Sequence, residues 1–154
     1  MNELSRRQFI VLSTATAAAC ACGSGGFCSN ALAAEEARQI NVGELKSFDK
    51  EGVVTTFAKS DRVLVVRQGE KIFALTAACS HKGGVVKLVD GDLRCPNHGA
   101  RFDLAGKVTK GPATEALEHL GISISAQGQV IVDTGKRFPE AKWDDSAAWV
   151  KASK

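Results

Sequence analysis

Four side chains in two short stretches carry the chemistry of this chain. Cys79-Ser80-His81-Lys82-Gly83-Gly84 and Cys95-Pro96-Asn97-His98-Gly99-Ala100-Arg101-Phe102 each offer one thiol and one imidazole, spaced C-x-H in the first and C-x-x-H in the second. Thiolate sulfur and neutral imidazole nitrogen are both metal donors, so two of each suffice for a metal centre. Zinc accepts two Cys and two His, but its structural sites usually draw them as C-x-x-C and H-x-x-x-H pairs. Here each segment mixes the two donor types, and thirteen residues separate His81 from Cys95.

The elements that must position these residues read as β. Val53–Phe57 and Val63–Val66 are rich in β-branched and apolar residues, the composition of strands. Gln68-Gly69-Glu70 turns the chain into a third strand, Lys71–Leu75. Val85–Val89 and Leu93-Arg94 flank Asp90-Gly91, a strong signal for a tight hairpin. Ala105-Gly106-Lys107 marks another turn, and Ile122–Ser125 and Gln129–Val132 alternate around Gln127-Gly128. Helical character is confined to Val42–Phe48 and to the tail, where Asp144 or Asp145 is placed to cap a short helix containing Trp149. Trp143 and Trp149 are expected to pack over the sheet. Short strands with frequent turns indicate an all-β antiparallel sandwich or barrel.

The chain has 154 residues, 44% of them hydrophobic and 24% charged, which allows one soluble domain plus flanking segments. A net charge of +3, not concentrated in one block, gives no case for nucleic-acid binding. Of the five cysteines, Cys20, Cys22 and Cys28 lie in an apolar N-terminal region, and only Cys79 and Cys95 lie beyond it.

That N-terminal region resembles a twin-arginine export signal. Ser5-Arg6-Arg7-Gln8-Phe9-Ile10 precedes an apolar stretch to about Cys22, and Ala31-Leu32-Ala33 is an A-x-A cleavage site. The stretch is shorter than the roughly 20 residues of a membrane span. The chain therefore divides into residues 1–33, a signal peptide or uncleaved membrane tether; 34–137, the metal-binding domain; and 138–154, a C-terminal tail. Twin-arginine export carries folded proteins, which suits a metal centre enclosed before the membrane is crossed.

The two donor stretches together resemble the Rieske iron–sulfur proteins. Cys95–Asp103 looks like the family's second loop, C-P-x-H-G-x-x-F/Y-D, and Gly111-Pro112-Ala113 sits where the family carries a proline-containing loop that covers its cluster. The likeness runs from about Val53 to Val132. It implies a Rieske-like antiparallel sandwich or barrel with an inserted cluster-binding subdomain of two hairpin loops. It also implies one [2Fe-2S] cluster per chain, with Cys79 and Cys95 on one iron and His81 and His98 on the other. Two neutral imidazoles in place of two thiolates leave the centre less negative, so it accepts an electron more readily. Gly83, Gly84 and Gly99 are expected to let backbone amides approach cluster sulfur.

Two departures set this chain apart from the high-potential cytochrome bc branch. Ala100 and Phe102 stand where that branch has a serine and a tyrosine, and Gly84 and Asn97 stand where it has a disulfide. The implied function is one-electron transfer in the periplasm or at the outer membrane face, without a catalytic site of its own. The alternative is a small iron–sulfur subunit of a larger exported oxidoreductase, of quinol–cytochrome c reductase or arsenite oxidase type. The implied partner is a redox protein such as a cytochrome or an oxidoreductase large subunit. A ring-hydroxylating oxygenase would need two more histidines and a carboxylate for mononuclear iron, and only His119 remains. His119 reads as a partly exposed structural residue. Lys82, Arg101 and Lys110 flank the loops, where they could steer an acidic partner.

Overall fold

The computed structural model describes residues 38–152. The export signal and its cleavage site lie outside the described residues. Within them the fold is all-β, and the strands pair antiparallel throughout. The larger sheet is built from β1 (Gln39–Glu44), β2 (Gly52–Val54), β3 (Val63–Gln68) and β4 (Lys71–Thr76). The smaller one holds β5 (Lys87–Val89), β6 (Asp92–Arg94), β7 (Arg101–Phe102) and β8 (Val108–Lys110). The chain then returns to the larger sheet with β9 (His119–Ile124), β10 (Gln129–Phe138) and β11 (Val150–Lys151). The larger sheet runs β1-β10-β9-β4-β3-β2, with β11 also on β4, and the smaller runs β5-β6-β7-β8. The second sheet is thus an insertion between β4 and β9.

The β3–β4 hairpin explains why its strands read as unbroken apolar runs. Val63, Val65, Ile72 and Ala74 enter one core with Val42, Leu120, Ile122, Val130 and Val132. Their alternate neighbours Leu64, Val66, Phe73 and Leu75 enter a second core with Val86, Leu93, Cys79, Cys95 and Phe102. Successive side chains of a strand point to opposite faces, so a hairpin buried on both faces needs apolar residues at every position. The second core joins the inserted sheet to the larger one and contains both site cysteines.

Asp90-Gly91 forms the expected hairpin turn between β5 and β6. Asp90 at φ 50° and Gly91 at φ 84° both adopt the left-handed conformation of a type I′ turn.

Three local expectations are corrected. Val42–Phe48 is not a helix: its first part belongs to β1, and only Leu45–Phe48 forms a 3-10 turn. Gly43 sits at φ 122°, outside helical space, in the bulge where β1 slips against β10. The expected strand Val53–Phe57 ends at Val54, because turns closed by Thr55 and Phe57 carbonyls replace the ladder. In the tail, Asp145 caps a turn: its carboxylate accepts from Ala147 N–H, and its carbonyl accepts from Ala148 N–H. Trp149 is therefore followed by β11 on β4, and Trp149 packs against the core that holds the cysteines.

Candidate metal centre

Both donor stretches fold as hairpin tips closed by the same pair of hydrogen bonds. In the first loop, Cys79 N–H donates to the Gly84 carbonyl at 2.8 Å, and Gly83 N–H donates back to the Cys79 carbonyl at 2.8 Å. In the second, Cys95 N–H donates to the Ala100 carbonyl at 2.9 Å, and Gly99 N–H donates to the Cys95 carbonyl at 3.0 Å. Each ring thus runs from a cysteine to the residue five positions on. Its fifth residue is a left-handed glycine, Gly83 at φ 65° and Gly99 at φ 76°, a conformation open to glycine at little strain. The amides of Gly83 and Gly99 thus serve the cysteine carbonyls and close the rings. The N–H groups that reach Cys79 sulfur belong to His81 and Lys82.

The rings bring all four sequence-derived donors together. Cys79 and Cys95 are 4% and 2% exposed, both thiols are free, and the Cys95 thiol acts on that of Cys79. Burial pushes the Cys79 thiol above its ordinary pKa; the His81 N–H opposes this, Cys95 adds to it, and the Lys82 N–H opposes it again. The imidazoles of His81 and His98 meet edge to face, with centroids 5.0 Å apart at 90°. His98 is exposed and His81 half-buried. The donors form a buried sulfur pair beneath a surface nitrogen pair. Among the described residues no three Cys, His, Asp or Glu side chains converge on a point suited to one metal ion. A divided set fits a two-iron cluster with sulfur on one side and nitrogen on the other. It does not fit a tetrahedral zinc ion, which needs all four donors at one centre.

The loops touch directly. A Cβ added to Gly84 would lie 2.8 Å from Asn97 Nδ2 and 2.9 Å from Cys95 Sγ. Gly84 thus leaves the space that the second loop fills.

Sequence reasoning missed the braces on the first loop. Arg62, a non-glycine residue held at φ 58°, accepts Ala77 N–H on its carbonyl at 2.6 Å and donates through Nη1 to the Gly83 carbonyl at 2.8 Å. Ser80 Oγ donates to the Glu115 carbonyl at 2.7 Å, tying the loop to the segment that follows Gly111-Pro112. No motif marks Arg62; only its unusual backbone and the place of its guanidinium reveal it.

His119 departs from expectation as well. It is 5% exposed, stacked between Phe73 at 4.7 Å and Trp143 at 4.4 Å. Trp143 from the tail supplies the cover that sequence could not place. Nε2–H donates to the Ala105 carbonyl at 3.0 Å, in the β7–β8 turn. Burial lowers its pKa, while the Ala105 and Ala148 carbonyls act the other way and Lys71 adds to the lowering.

With this geometry in hand, residues 38–131 match the family model for the Rieske [2Fe-2S] domain. The chain belongs to the Rieske family. A [2Fe-2S] cluster is accordingly its cofactor. The cytochrome b6-f complex iron-sulfur subunit of Chlorobaculum thiosulfatiphilum is 36% identical over 73 residues, 46% of this chain and 40% of that protein. The subunit of the same name from Trichodesmium erythraeum is 34% identical over 93 residues, 55% of this chain and 52% of that one. The chain thus spans about half or less of the length of these curated relatives. Among solved structures, the cyanobacterial plasma membrane Rieske protein from Synechocystis PCC 6803 is 34% identical, covering 60% of this chain and 97% of that one at a TM-score of 0.46.

Proposed function

We propose that this Rieske protein carries single electrons, with Cys79 and Cys95 as ligands of one iron and His81 and His98 as ligands of the other. The observation that carries this reading is the division of the donors: thiols paired in the core, imidazoles paired at the surface. When bound, a Rieske cluster supplies reversible one-electron chemistry. The protein's part is to hold the ligands and set their surroundings. The two rings fix the cysteines, the His81 and Lys82 amides serve Cys79 sulfur, and His98 brings the nitrogen side to the surface where a partner can approach.

Ala100 and Phe102 are 1% and 0% exposed and bring no hydroxyl to the site. Missing donors leave sulfur more electron-rich, so reduction is harder. The midpoint potential should fall in the lower part of the roughly −150 to +300 mV spanned by Rieske centres, and a redox titration measures it.

The reading extends to place and partner. The twin-arginine pattern in Ser5–Ile10 and the A-x-A site at Ala31–Ala33 support export, with residues 1–33 removed or kept as a membrane tether, residues 34–137 as the electron carrier and 138–154 as a tail. Among the described residues no helix is long and apolar enough to cross a membrane. A role as iron–sulfur subunit of a larger redox complex is the second reading. It is favoured by relatives named as cytochrome b6-f subunits.

Reduction of the purified protein should give a Rieske-type EPR spectrum, with two irons and two acid-labile sulfides per chain. Cys95→Ser should abolish the reddish-brown colour and the signal together, and lower thermal stability because metal binding and folding are linked. A single divalent ion in the native protein would defeat the proposal.

A further inference from the structure

We infer that the basic flank of the two loops is a docking face for an acidic one-electron carrier protein. The inference deepens the electron-carrier reading and rests on it. Two grooves flank Pro96. One is lined by Lys87, Val89, Arg101 and Lys110 beside Cys95 and Gly99, with Arg94 at its edge. The other is lined by Lys59, Arg62, Lys82 and Lys87 beside Gly83, Gly84 and Asn97. Lys87 and Pro96 belong to both, so the grooves form one continuous strip along the loops. Among the described residues no Asp or Glu lines either groove.

The charge on this strip is left open. Arg94 is neutralised by Asp90 at 3.3 Å and Asp92 at 3.6 Å. Lys59, Arg62, Lys82, Lys87, Arg101 and Lys110 make no ion pair among the described residues. Clustered like charges repel, and a partner's carboxylates would relieve that repulsion. Apolar contact is available beside it: on β5, an edge strand of the smaller sheet, Val89 is 38% exposed in the first groove and Leu88, also 38% exposed, lines an adjoining groove with Lys59 and Lys87. An apolar centre with a charged rim is the usual anatomy of a specific interface. The groove beside Cys79 and Ser80 has no such open charge of one sign: Glu118 pairs with Arg137 at 3.3 Å and Glu140 with Lys107 at 3.2 Å, beside Glu115. The open positive charge along the strip would bring an acidic protein with its own redox centre against the loops that carry His81 and His98. A lipid surface offers charge but no electron acceptor.

The test uses the cluster-loaded protein, its content checked by visible absorption. Electron transfer to an acidic c-type cytochrome should slow as salt rises, while transfer to a basic c-type cytochrome should not. Charge reversal by Lys87→Glu/Lys110→Glu should slow the acidic partner by about tenfold at low salt and weaken its binding in a calorimetric titration. Lys46→Glu/Lys50→Glu makes the same change in net charge on exposed residues outside the strip, and should stay within about twofold of the unmodified protein. Equal effects of the two pairs would overturn the docking face. So would binding to phosphatidylglycerol vesicles without salt-dependent binding of the acidic cytochrome. A protein that purifies without iron and sulfide would remove the electron-carrier reading itself.

Discussion

The two Cys/His loops have the same backbone ring but different neighbours. Each runs from cysteine to the sixth residue of its stretch, with a left-handed glycine in fifth place. Histidine is third in the first loop and fourth in the second, and this shift of one residue leaves His81 half-buried and His98 exposed. The second loop sits on a paired β6–β7 ladder, whereas only an isolated Ala78–Val85 bridge closes the first. The first loop compensates with side chains, through Arg62 and Ser80. A fixed ring sets the cysteines, and the flanks decide how much outside support each loop needs.

The sixth position should break the equivalence most sharply. Gly84→Ala forces a methyl to within 2.9 Å of Cys95 Sγ and 2.8 Å of Asn97 Nδ2. Overpacking of this kind costs about 1–3 kcal/mol, and here it falls on a proposed ligand, so iron content should drop along with stability. Ala100→Gly at the matching position removes one buried methyl and adds backbone freedom, for about 1 kcal/mol with the cluster retained. Iron analysis and denaturant titration of both variants measure the contrast. Similar loss of iron from the two would mean that the loops do not differ at this place.

The fifth position should show the likeness instead. A Cβ on Gly83 or Gly99 meets nothing within 4 Å, so Gly83→Ala and Gly99→Ala are disturbed by left-handed backbone strain alone, about 1–2 kcal/mol each. Near-equal losses of unfolding free energy are expected. A large inequality would show that one ring opens easily and the other does not.

Arg62→Ala should separate the loops again, with a smaller effect. The bond to the Gly83 carbonyl is solvent-exposed, so its loss costs about 0.5–1 kcal/mol. Native-state hydrogen exchange should speed up at the Gly83 amide and stay unchanged at Gly99. Equal acceleration at both amides would argue that Arg62 supports the whole tip and not one loop.

Much of this was legible from spacing and turn chemistry. The two Cys/His turns, the β5–β6 turn at Asp90-Gly91 and the hairpin turns at Gln68–Glu70 and Gln127-Gly128 need only local rules, and the larger sheet follows from apolar runs. What was hidden depends on residues distant in sequence. Val42–Phe48 resembled a helix because an edge strand with a bulge lacks clean alternation. His119 looked half-exposed because its cover, Trp143, arrives from the tail. Arg62 carries no pattern at all, since its role follows from where a guanidinium ends, 21 residues away from the carbonyl it holds.

His119 gives the subtlest comparison, because it supports the second loop's sheet as Arg62 supports the first loop. It holds the Ala105 carbonyl in the turn beyond β7, and burial depresses its pKa below the ordinary 6.5. The neutral ring is thus favoured in the folded state. Between the depressed folded pKa and 6.5, the unfolded chain binds more protons, so stability rises with pH across that window. The contribution is present above pH 6.5 and fades as pH falls through the folded value. His119→Phe keeps an aromatic ring between Phe73 and Trp143 but cannot titrate. Urea unfolding of the cluster-loaded protein from pH 8 to pH 5 should show a shallower acid-side slope for the variant, though the variant is weaker overall for want of the Ala105 bond. An unchanged slope would place the acid sensitivity elsewhere. If the slope does change, exchange at the Gly106 amide beside that turn should respond to pH more than exchange at Gly83, because His119 acts on the second loop's sheet.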